Sequence, residues 1–555
     1  MARLVQLSPR FMGVSALGAY VAGDLKRAEE LIARPATKAS QLRDEVAILL
    51  DRPDLVPTEA RFSTRARSTW ARGELTVALR ILEESNSGNT LYAQRLRSER
   101  KLLQPDFRLR WPRRPIKGPN TPLGTDEPLR VLHFLTNSLP HTQSGYSLRS
   151  HNILTALRDH GIKSLALTRT GYPVMVGKVF ASRCNVVDGV TYRRTLPTVL
   201  AATPEGRLLQ EVEEALHIVS TFRPHVLHAT TDSRNALVAQ AVSEATGIPW
   251  VFEVRGLMEE TWVASRRGAD ARHAAAASEK VRLVKAIESR LSREADAVIT
   301  LSRTMADELE SRGVPPTQIS LVPNGVEASL LVEDLSPTDV RERLGGVVGP
   351  DALVIGAASS LVAYEGFDLL LRAVALILAD RNTSPTVRRE LRVVLAGDGA
   401  AAPALAELAK ELGLEGRVIM PGRVPRKQAR YWVQAMDIVV VPRRDLEVSR
   451  MVTPQKPIEA MALGRPVVVS DLPALRETVS DDSGDVHGVL FQPDDPESLA
   501  EVLLQLLADQ DLRTQLGSAG RAVARERTWS VMMRRYERAY RTVASKAHEE
   551  SNSDT

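Results

Sequence analysis

The sequence predicts an α/β protein in which two doubly wound, parallel-sheet domains follow an all-helical N-terminal region. From residue 129 onward, short apolar runs alternate with amphipathic helical stretches, which is the pattern of strand–helix units. The pattern restarts after the turn sequence at residues 323–325, and this indicates a second domain of the same kind. Before residue 110 only helical periodicity is present. At 555 residues, the chain is also too long for a single hydrophobic core.

The helical region covers residues 1–115 in this prediction, and it contains two similar segments at 17–33 and 68–84. Each has an aromatic residue, then glycine followed by an acidic residue and leucine, then alanine and leucine at helical spacing. Gly23 and Gly73 would form the turns of two helical hairpins that resemble a tetratricopeptide repeat. Their separation is longer than one such repeat, so an ordinary helical cap on the next domain is an equal alternative.

The remaining boundaries follow from composition and patterning. Residues 116–128 form a linker, because proline, glycine and charge replace periodicity there. The first sheet domain spans 129–325, with strands predicted at 129–135, 164–169, 225–230, 249–254 and 296–302. The second spans 326–525, with strands predicted at 352–359, 391–399, 417–422, 437–443 and 466–471. Residues 546–555 are predicted to be a disordered tail.

Composition restricts the classes of partner. The 73 basic and 68 acidic residues give a net charge of +5, which supports anionic ligands or a membrane surface only weakly. Aromatic residues make up 4% of the chain, so we expect no stacking platforms and no nucleic-acid partner. The single cysteine, Cys184, fits a reducing compartment. Without an evident signal peptide or an apolar run of about 18 residues, we expect a cytoplasmic protein.

The segment VTPQKPIEAMALGRPVV, at 452–468, places a lysine and a glutamate at the start of a predicted helix. Pro457 suits the first helical position, which puts Lys456 at the N-cap and Glu459 in the first turn. Glu459 can be explained as a cap that also favours the helix dipole. A lysine at the positive end is unfavourable unless an anion also binds, so Lys456 indicates a phosphate site. Arg443, at the end of the preceding strand, would add positive charge; the alternative for both cations is a solvated face.

Gly397 and Gly399 follow an apolar strand and precede a helix, which lets backbone approach a ligand at the carboxyl end of a sheet. Alone this is a weak signal, because such turns are common. No G-x-G-x-x-G fingerprint with its acidic partner and no Walker lysine motif occurs, which disfavours nicotinamide and P-loop enzymes. No cluster of His, Asp and Glu has metal-ligand spacing, so we expect no cofactor and no protein-bound metal.

Four stretches together resemble the nucleotide-sugar half of retaining glycosyltransferases of family 4, which have the GT-B fold. They are VPNGVE, VVLAGDG, GRVPRKQARYWVQAMDIVVVP and KPIEAMALGRPVVVSD. The resemblance extends from residue 129 to residue 540. It implies two domains that face each other across a cleft, and a helix at 526–545 that crosses back to the first domain. The motifs EVRG, AYEG and TP-x-KP narrow the resemblance to sugar transferases of exopolysaccharide and protein-sorting loci.

The resemblance also implies roles for residues of the second domain. Glu459 matches the glutamate that holds the ribose hydroxyls of the donor, while Lys456 and Arg443 are the candidates for binding its diphosphate. The loops on the phosphate side of the cleft are expected to contribute Ser360, Glu365, Gly366, Gly397 and Gly399.

Two donor-side positions depart from the family pattern. Met451 stands where many members have an acidic residue that contacts the donor sugar, and Glu447 or Arg450 could replace that contact. Glu365 stands where many members have a lysine, and Lys456 would compensate for this change. These departures put the donor-sugar contact in question.

In the first domain, the loop after the first strand resembles the glycine loop at the family's cleft. That loop usually has two adjacent glycines, but here Gly145 is followed by Tyr146. We expect both residues on the acceptor side, although a plain strand-to-helix loop is the alternative. His228 ends a strand where the family places a histidine that faces a sugar, and a lone histidine there is as often structural.

The strand end VFEVRGLMEETW, at 251–262, is rich in charge. Buried strand ends rarely carry an unpaired charge, so one interpretation is an internal ion pair between Arg255 and Glu259. In the other, the charges face an acceptor or a phosphate. Under this second interpretation Arg255, His228 and Glu253 are the catalytic candidates, and Glu259 belongs to the acceptor side.

The sequence therefore predicts transfer of a hexosyl or N-acetylhexosaminyl group from a nucleotide diphosphate sugar to a hydroxyl, with retention as the resemblance implies. We expect a glycan or a lipid-linked acceptor, in cell-surface or exopolysaccharide synthesis. Peripheral contact with the inner face of the membrane, and a protein partner on the N-terminal helices, are further options. Two alternatives stay open: a catalytically weakened interaction protein, and a sugar-nucleotide epimerase of the same fold.

Overall fold

A computed structural model describes residues 12–34, 40–111, 127–332 and 335–553. It confirms the predicted fold class: an all-helical region precedes two α/β domains, each built on its own sheet. Most of the linker predicted at 116–128 lies outside the described residues. Every helix in the described ranges is too short or too polar to cross a lipid bilayer.

The N-terminal region contains six helices: α1 (Met12–Val21), α2 (Leu25–Ala33), α3 (Gln41–Leu49), α4 (Phe62–Ala71), α5 (Leu75–Glu84) and α6 (Leu91–Leu102). Helix α1 packs against α2, and α4 packs against α5. Gly23 and Gly73 lie in the two connecting turns with φ angles of +80° and +87°, a conformation that favours glycine. Each glycine therefore joins two packed helices.

The helical region is attached to the first α/β domain by ion pairs and by part of that domain's core. Arg100 donates to the carboxylate of Glu279 at 3.0 Å. Leu102, Phe107 and Leu109 are buried in the main hydrophobic core of the first α/β domain. The predicted boundary at residue 115 therefore lies too far along the chain, because this core begins at the end of α6.

The first α/β domain has an eight-stranded sheet in the order β3-β4-β2-β1-β5-β6-β7-β8, parallel except between β3 and β4. The strand order reverses between β1 and β5, so the carboxyl ends of these strands open into a crevice. The strands are β1 (Arg130–Leu135), β2 (Lys163–Thr168), β3 (Cys184–Val187), β4 (Val190–Arg194), β5 (Val226–Thr230), β6 (Trp250–Val254), β7 (Ala297–Thr300) and β8 (Ile319–Leu321). The helices are α7 (Gly145–Asp159), α8 (Pro204–Phe222), α9 (Ser233–Thr246), α10 (Met258–Ala264), α11 (Ala269–Ala276), α12 (Glu279–Glu294) and α13 (Arg303–Ser311).

The second α/β domain has a six-stranded parallel sheet in the order β11-β10-β9-β12-β13-β14, with its reversal between β9 and β12. The strands are β9 (Leu353–Ala358), β10 (Leu391–Ala396), β11 (Val418–Gly422), β12 (Ile438–Val441), β13 (Val467–Ser470) and β14 (Val489–Phe491). The helices are α14 (Ser329–Val332), α15 (Pro337–Arg343), α16 (Phe367–Ala379), α17 (Pro385–Glu390), α18 (Ala402–Glu411), α19 (Arg426–Gln434), α20 (Glu447–Met451), α21 (Lys456–Ala462), α22 (Pro473–Thr478), α23 (Pro496–Ala508) and α24 (Gln510–Glu526).

The last helix, α25 (Trp529–Ser553), returns to the first α/β domain. Its buried side chains pack in one cluster with residues of β1, β5, β6 and β7. They include Trp529, Met532, Met533, Tyr536 and Tyr540. The helix continues to Ser553, so most of the tail predicted to be disordered from residue 546 is helical.

Four short strands, β3, β4, β8 and β14, were not predicted. Strands β3 and β4 form an antiparallel hairpin whose turn residues, Asp188 and Gly189, both have positive φ. Asp-Gly is a strong hairpin signal, so this pair could have been found from the sequence. Strands β8 and β14 have three residues each, too few to show an alternating pattern.

The loops that follow β9 and β12 approach each other so closely that one position requires glycine. Gly366 has a φ of +71°, and a Cβ atom there would lie 1.8 Å from the carbonyl oxygen of Pro442. By contrast, a Cβ atom on Gly145 would meet no atom within 4 Å. The first glycine is therefore needed to bring two loops of the second domain together, and the second is not needed for packing.

Gly366→Ala should destabilise the protein, because alanine at positive φ costs about 1–2 kcal/mol even before the clash with Pro442 is counted. Gly145→Ala is the matched control, since the added methyl group meets open space. We expect the free energy of unfolding to fall by more than about 2 kcal/mol for the first variant and by less than about 0.5 kcal/mol for the second. If chemical denaturation shows the same loss of unfolding free energy for both variants, the loops after β9 and β12 do not approach each other this closely.

Two truncations test the boundary of the first α/β domain. Removal of residues 1–90 retains α6 and the chain that follows it, whereas removal of residues 1–115 takes Leu102, Phe107 and Leu109 out of the core. Burial of each such side chain contributes about 1.5–3 kcal/mol. The shorter protein should therefore unfold at a clearly lower denaturant concentration. If the two truncated proteins have the same midpoint, the core does not depend on these residues.

Candidate active site

The residues expected to bind the donor lie at the carboxyl ends of the strands of the second α/β domain. Loop 359–366 follows β9, while Arg443 and Arg444 follow the neighbouring strand β12. Helix α21 follows in the chain and begins at Lys456. Ligands of doubly wound sheets bind in the crevice at this reversal of strand order.

Glu365 joins the two cations that were predicted to bind a diphosphate. Its buried carboxylate lies 3.0 Å from Nη2 of Arg443 and 2.7 Å from Nζ of Lys456. Burial alone would raise the pKa of Glu365, but Arg443 and Lys456 lower it to about 2, so the carboxylate is ionised. Two cations around one carboxylate leave a surplus of one positive charge.

Arg443 is held by two further contacts. Its Nη1 donates to the carbonyl oxygen of Val452 at 2.9 Å, and its guanidinium lies 5.8 Å from the ring centre of Tyr364. Arg444 instead pairs with Asp494 at 3.0 Å. Only the first of these two arginines therefore belongs to the cation pair.

Helix α21 differs from its prediction at its first residue. Lys456 is inside the helix and Gln455 is the N-cap, where Lys456 had been expected. Within the described ranges the Glu459 carboxylate accepts no hydrogen bond, which removes support for a capping role. Burial and the neighbouring Glu327 raise the pKa of Glu459 to about 7. The helix has only seven residues, so an anion bound here would depend on the lysine more than on a helix dipole.

The remaining donor-side candidates lie around loop 359–366. A Cβ atom on Gly397 would lie 1.7 Å from the carbonyl oxygen of Ser359, and one on Gly399 would lie 2.3 Å from that of Leu361. These glycines let two backbone segments meet, and this contact does not require a ligand. Ser360 is exposed in the same loop.

Met451 occupies the position where many family members have an acidic residue that contacts the donor sugar, and here it packs against other residues. Met451 is partly buried and packs against the core of the first α/β domain. Of the two replacements considered from the sequence, Glu447 and Arg450 are both exposed. Arg450 forms an ion pair with Asp445 at 2.6 Å, so its charge is already neutralised.

Glu253 is completely buried in β6 and is surrounded by four donors. It accepts hydrogen bonds from Arg255 (2.7 Å), Tyr536 (2.8 Å), Arg149 (2.9 Å) and His228 (3.0 Å). Burial would raise the pKa of Glu253, but the two arginines hold it well below its usual range. The ionised carboxylate therefore ties together α7, β5, β6 and α25.

His228 has a structural position in this group. It is completely buried, its Nε2 faces Glu253, and the hydroxyl of Tyr540 lies 2.8 Å from its Nδ1. Because Glu253 is ionised, Nε2 carries the proton and Tyr540 donates to Nδ1. Burial lowers the pKa of His228, which keeps the ring neutral. Both side chains are buried and hydrogen-bonded to their neighbours, which favours a structural role; the catalytic assignments of His228 and Glu253 stay predictions.

Arg255 pairs with Glu253, so the ion pair considered between Arg255 and Glu259 is wrong. Glu259 instead pairs with Arg312 at 2.7 Å, and both side chains are buried. Arg255 also donates to Oγ of Ser150 at 2.7 Å. The pairing differs because β6 ends one residue after Glu253, and Glu259 lies beyond that end on α10.

A cavity of about 120 Å³ lies where the strand order of the first α/β domain reverses. Its polar lining includes Thr136, Asn137, Tyr146, Thr231, Asp232 and Arg255. This position makes it the candidate acceptor site. Glu259 is not among the residues that line this cavity, and its acceptor-side role stays a prediction.

Tyr146 lies between the two candidate sites. Burial of its hydroxyl and the nearby Tyr364 of the second domain raise its pKa to about 12, so the phenol stays protonated at neutral pH. The charges of Arg255 in the first domain and of Arg443 in the second lower the pKa of Tyr146, and so partly oppose this rise. A Cβ atom on Gly256 would lie 3.0 Å from the hydroxyl of Tyr146 and 3.3 Å from a methyl group of Val452, so this hydroxyl lies where the first domain meets the segment before α21.

Arg149 is the main residue that sequence patterns did not identify. It is buried in α7, and besides Glu253 it donates to Oδ1 of Asn324 at 2.6 Å. Nδ2 of Asn324 donates in turn to the carbonyl oxygen of Thr453 at 3.0 Å, three residues before Lys456. A buried arginine indicates a buried anion, but the sequence does not say where that anion lies.

Comparison with protein families divides the chain as the structure does. The family model described as "Glycosyl transferase 4-like domain" matches residues 144–325, within the first α/β domain. The model described as "Glycosyl transferases group 1" matches residues 350–509, within the second. Together the two matches cover more than half of the chain.

Curated relatives are similar over part of the chain. The D-inositol 3-phosphate glycosyltransferase of Xylanimonas cellulosilytica is 30% identical over 44% of this chain and 56% of its own length. The enzyme of the same name from Frankia alni is 31% identical over 46% of this chain and 63% of its own length. The matched part of this chain thus spans little more than half the length of these relatives.

Solved structures share the fold. Sucrose-phosphate synthase from Thermosynechococcus elongatus has a TM-score of 0.60 and 19% identity, over 75% of this chain and 100% of that one. HepE of Anabaena, solved with UDP and glucose, has a TM-score of 0.55 and 18% identity over the same shares. By these matches the chain has a glycosyl transferase 4-like first domain and a glycosyl transferases group 1 second domain, in the GT-B architecture of the solved structures.

Proposed function

We propose that the protein transfers a sugar from a nucleotide diphosphate sugar to a hydroxyl group of an acceptor. The observation that carries the proposal is the group formed by Arg443, Glu365 and Lys456 at the crevice of the second domain. Its surplus positive charge suits a diphosphate, whose negative charge increases as the bond to the sugar breaks. The matches of the two domains to glycosyl transferase families support the same reaction class.

Lys456 is the cation that we expect to contact the diphosphate directly. Its side chain is 22% exposed, whereas that of Arg443 is 8% exposed. Arg443 would then keep Glu365 ionised and in place, so that Lys456 is oriented before the donor binds. Glu459 lies three residues further along α21, on the same side of the helix, and would accept hydrogen bonds from the ribose hydroxyls.

We assign the acceptor to the cavity of the first domain. Thr231, Asp232 and Arg255 in its lining offer hydrogen-bond partners for hydroxyl groups. We propose a glycan or a lipid-linked acceptor in cell-surface or exopolysaccharide synthesis, and a hexosyl or N-acetylhexosaminyl donor. Retention at the anomeric carbon, and a cytoplasmic location, are parts of the same proposal.

The proposal includes transfer without a protein-bound metal. Within the ranges that the structure describes, no three His, Cys, Asp or Glu side chains are grouped so that they could hold a metal ion. The charge of the leaving diphosphate would then be balanced by Lys456 and Arg443 alone. That a metal is not required stays a prediction, which activity in the presence of a chelator would test.

The reaction can be tested in two steps. A panel of nucleotide sugars screened for thermal stabilisation identifies the donor, because a bound ligand raises the unfolding temperature. Release of nucleoside diphosphate is then measured with and without candidate acceptors, and we expect release only when an acceptor is added. Conversion of the sugar without an acceptor would favour an epimerase. Failure of every nucleoside diphosphate to bind in calorimetry would favour an interaction protein.

Lys456→Ala should weaken binding of a nucleoside diphosphate far more than binding of the bare nucleoside. Loss of a charge-assisted hydrogen bond costs about 1.5–3 kcal/mol, so we expect the Kd of the diphosphate to rise about ten- to hundredfold. Lys410→Ala is the matched control, since it removes the same charge from an exposed position at the carboxyl end of α18. Equal losses for diphosphate and nucleoside in Lys456→Ala would contradict the phosphate role.

Binding of the nucleotide sugar should weaken as the pH falls through about 7, the pKa of Glu459. Below this pH the carboxylate is protonated and loses capacity to accept hydrogen bonds from two ribose hydroxyls. A nucleotide sugar is the suitable probe, because it lacks the terminal phosphate monoester that titrates near about pH 6.

Glu459→Gln provides the control for this pH dependence. At about pH 8 this variant should bind the donor more weakly than the native protein. Its affinity should change little between about pH 8 and about pH 6, which lie one unit above and below the raised pKa of Glu459. If the donor affinity of Glu459→Gln depends on pH as that of the native protein does, another group titrates and Glu459 does not hold the ribose.

A further inference from the structure

Several large apolar side chains of the first α/β domain are exposed on two neighbouring loops. They lie on the segment between β2 and β3 and on the loop between β4 and α8. We call them the apolar loop surface: Val174, Met175, Val179, Phe180, Val199 and Leu200. Phe180 is 100% exposed and Val199 is 76% exposed. Soluble proteins rarely leave such side chains exposed beside one another unless the surface binds a partner.

The two loops are held side by side on an ordered base. The side chains of Leu200 and Met175 lie 3.7 Å and 3.8 Å from the position that a Cβ atom would take on Gly171. The adjacent Tyr172 is completely buried and donates through its hydroxyl to the carbonyl oxygen of Ser138 at 2.7 Å. The exposed side chains therefore project from a fixed support.

The charge around this surface is positive. Lys178 and Arg183 are exposed within and just after the same segment. No Asp or Glu occurs from residue 160 to residue 187. Burial lowers the pKa of His141, and the charge of Lys178 contributes to this shift, which puts the lysine near the loop that precedes α7. Apolar side chains flanked by cations match the headgroup region of a bilayer that contains anionic lipids.

The apolar loop surface lies at the same edge of the sheet as the cavity. Strands β1 and β2 are parallel, and Leu135 pairs in register with Thr168, so the loops that follow them leave the sheet together. Ser138, which accepts the hydrogen bond from Tyr172, directly follows Asn137 in the cavity lining. The loops that carry the apolar loop surface therefore leave the sheet at the same edge as the cavity.

We propose that the apolar loop surface inserts into the headgroup region of an anionic lipid bilayer and docks the first α/β domain there. The charge pattern favours a bilayer over a second copy of this chain. In a symmetric dimer through this surface, the cations of one copy would face those of the other, and no Asp or Glu from residues 160–187 would be there to pair with them. Docking requires no catalytic activity, so this proposal and the proposed function can fail separately. If both hold, docking brings the cavity to a lipid-linked acceptor.

Co-sedimentation of the full chain with vesicles tests the proposal. The native protein should bind vesicles of phosphatidylcholine and phosphatidylglycerol. The double variant Val179→Ser/Phe180→Ser should bind at least about tenfold more weakly, because two apolar side chains no longer enter the interface. Val332→Ser/Val347→Ser is the matched control: these valines are also exposed, at 80% and 56%, but belong to the second α/β domain. The control should bind like the native protein.

The role of the cations is tested with Lys178→Gln/Arg183→Gln. This variant should bind the mixed vesicles several-fold more weakly, and the difference should vanish at high salt, where surface charges are screened. Absence of binding by the native protein, or equal binding by Val179→Ser/Phe180→Ser, would overturn the proposal. A native dimer that this serine variant dissociates, without vesicle binding, would also overturn it and assign the surface to a second copy.

Discussion

A buried carboxylate, Glu253, is the interaction on which the arrangement of the first α/β domain depends. It accepts hydrogen bonds from α7, β5, the end of β6 and α25, segments that are far apart in the sequence. Without it, Arg149 and Arg255 would be buried without a counter-charge, and loss of one partner from such a pair costs about 3–5 kcal/mol. Because α25 follows the second domain in the chain, the same carboxylate also fixes how the chain returns from that domain to the first.

The second domain uses a similar group of charges. Glu365 lies between Arg443 and Lys456, as Glu253 lies between two arginines, and both groups keep a surplus of positive charge. Cations held by a buried carboxylate are oriented before a ligand arrives, so little reorganisation is needed when a phosphate binds. The two groups are also connected. From Arg149, hydrogen bonds pass through Asn324 to the backbone just before Lys456.

Local patterns predicted the fold and part of the candidate site, whereas pairings between distant residues were not predictable. Strand–helix alternation predicted both sheets. Lys456, expected at the N-cap of α21, predicted a phosphate site there; the structure places Lys456 one residue inside the helix, and the phosphate site stays a prediction. The charges at the end of β6 were recognised as a group, but Arg255 was paired with the wrong glutamate. Such pairing depends on side chains that meet across the fold. Arg149, a partner of the Glu253 carboxylate, lies in a helix about 100 residues earlier in the chain. Hydrophobic periodicity carries no information over such a separation.

The central claim is that Lys456, held by Glu365 and supported by Arg443, binds the diphosphate of the donor. A crystal structure of the full chain with a nucleoside diphosphate tests this most directly. The account predicts an oxygen of the diphosphate about 3 Å from Nζ of Lys456, with the ribose hydroxyls at the carboxylate of Glu459. A diphosphate bound elsewhere, with Nζ of Lys456 still held only by Glu365, would contradict it.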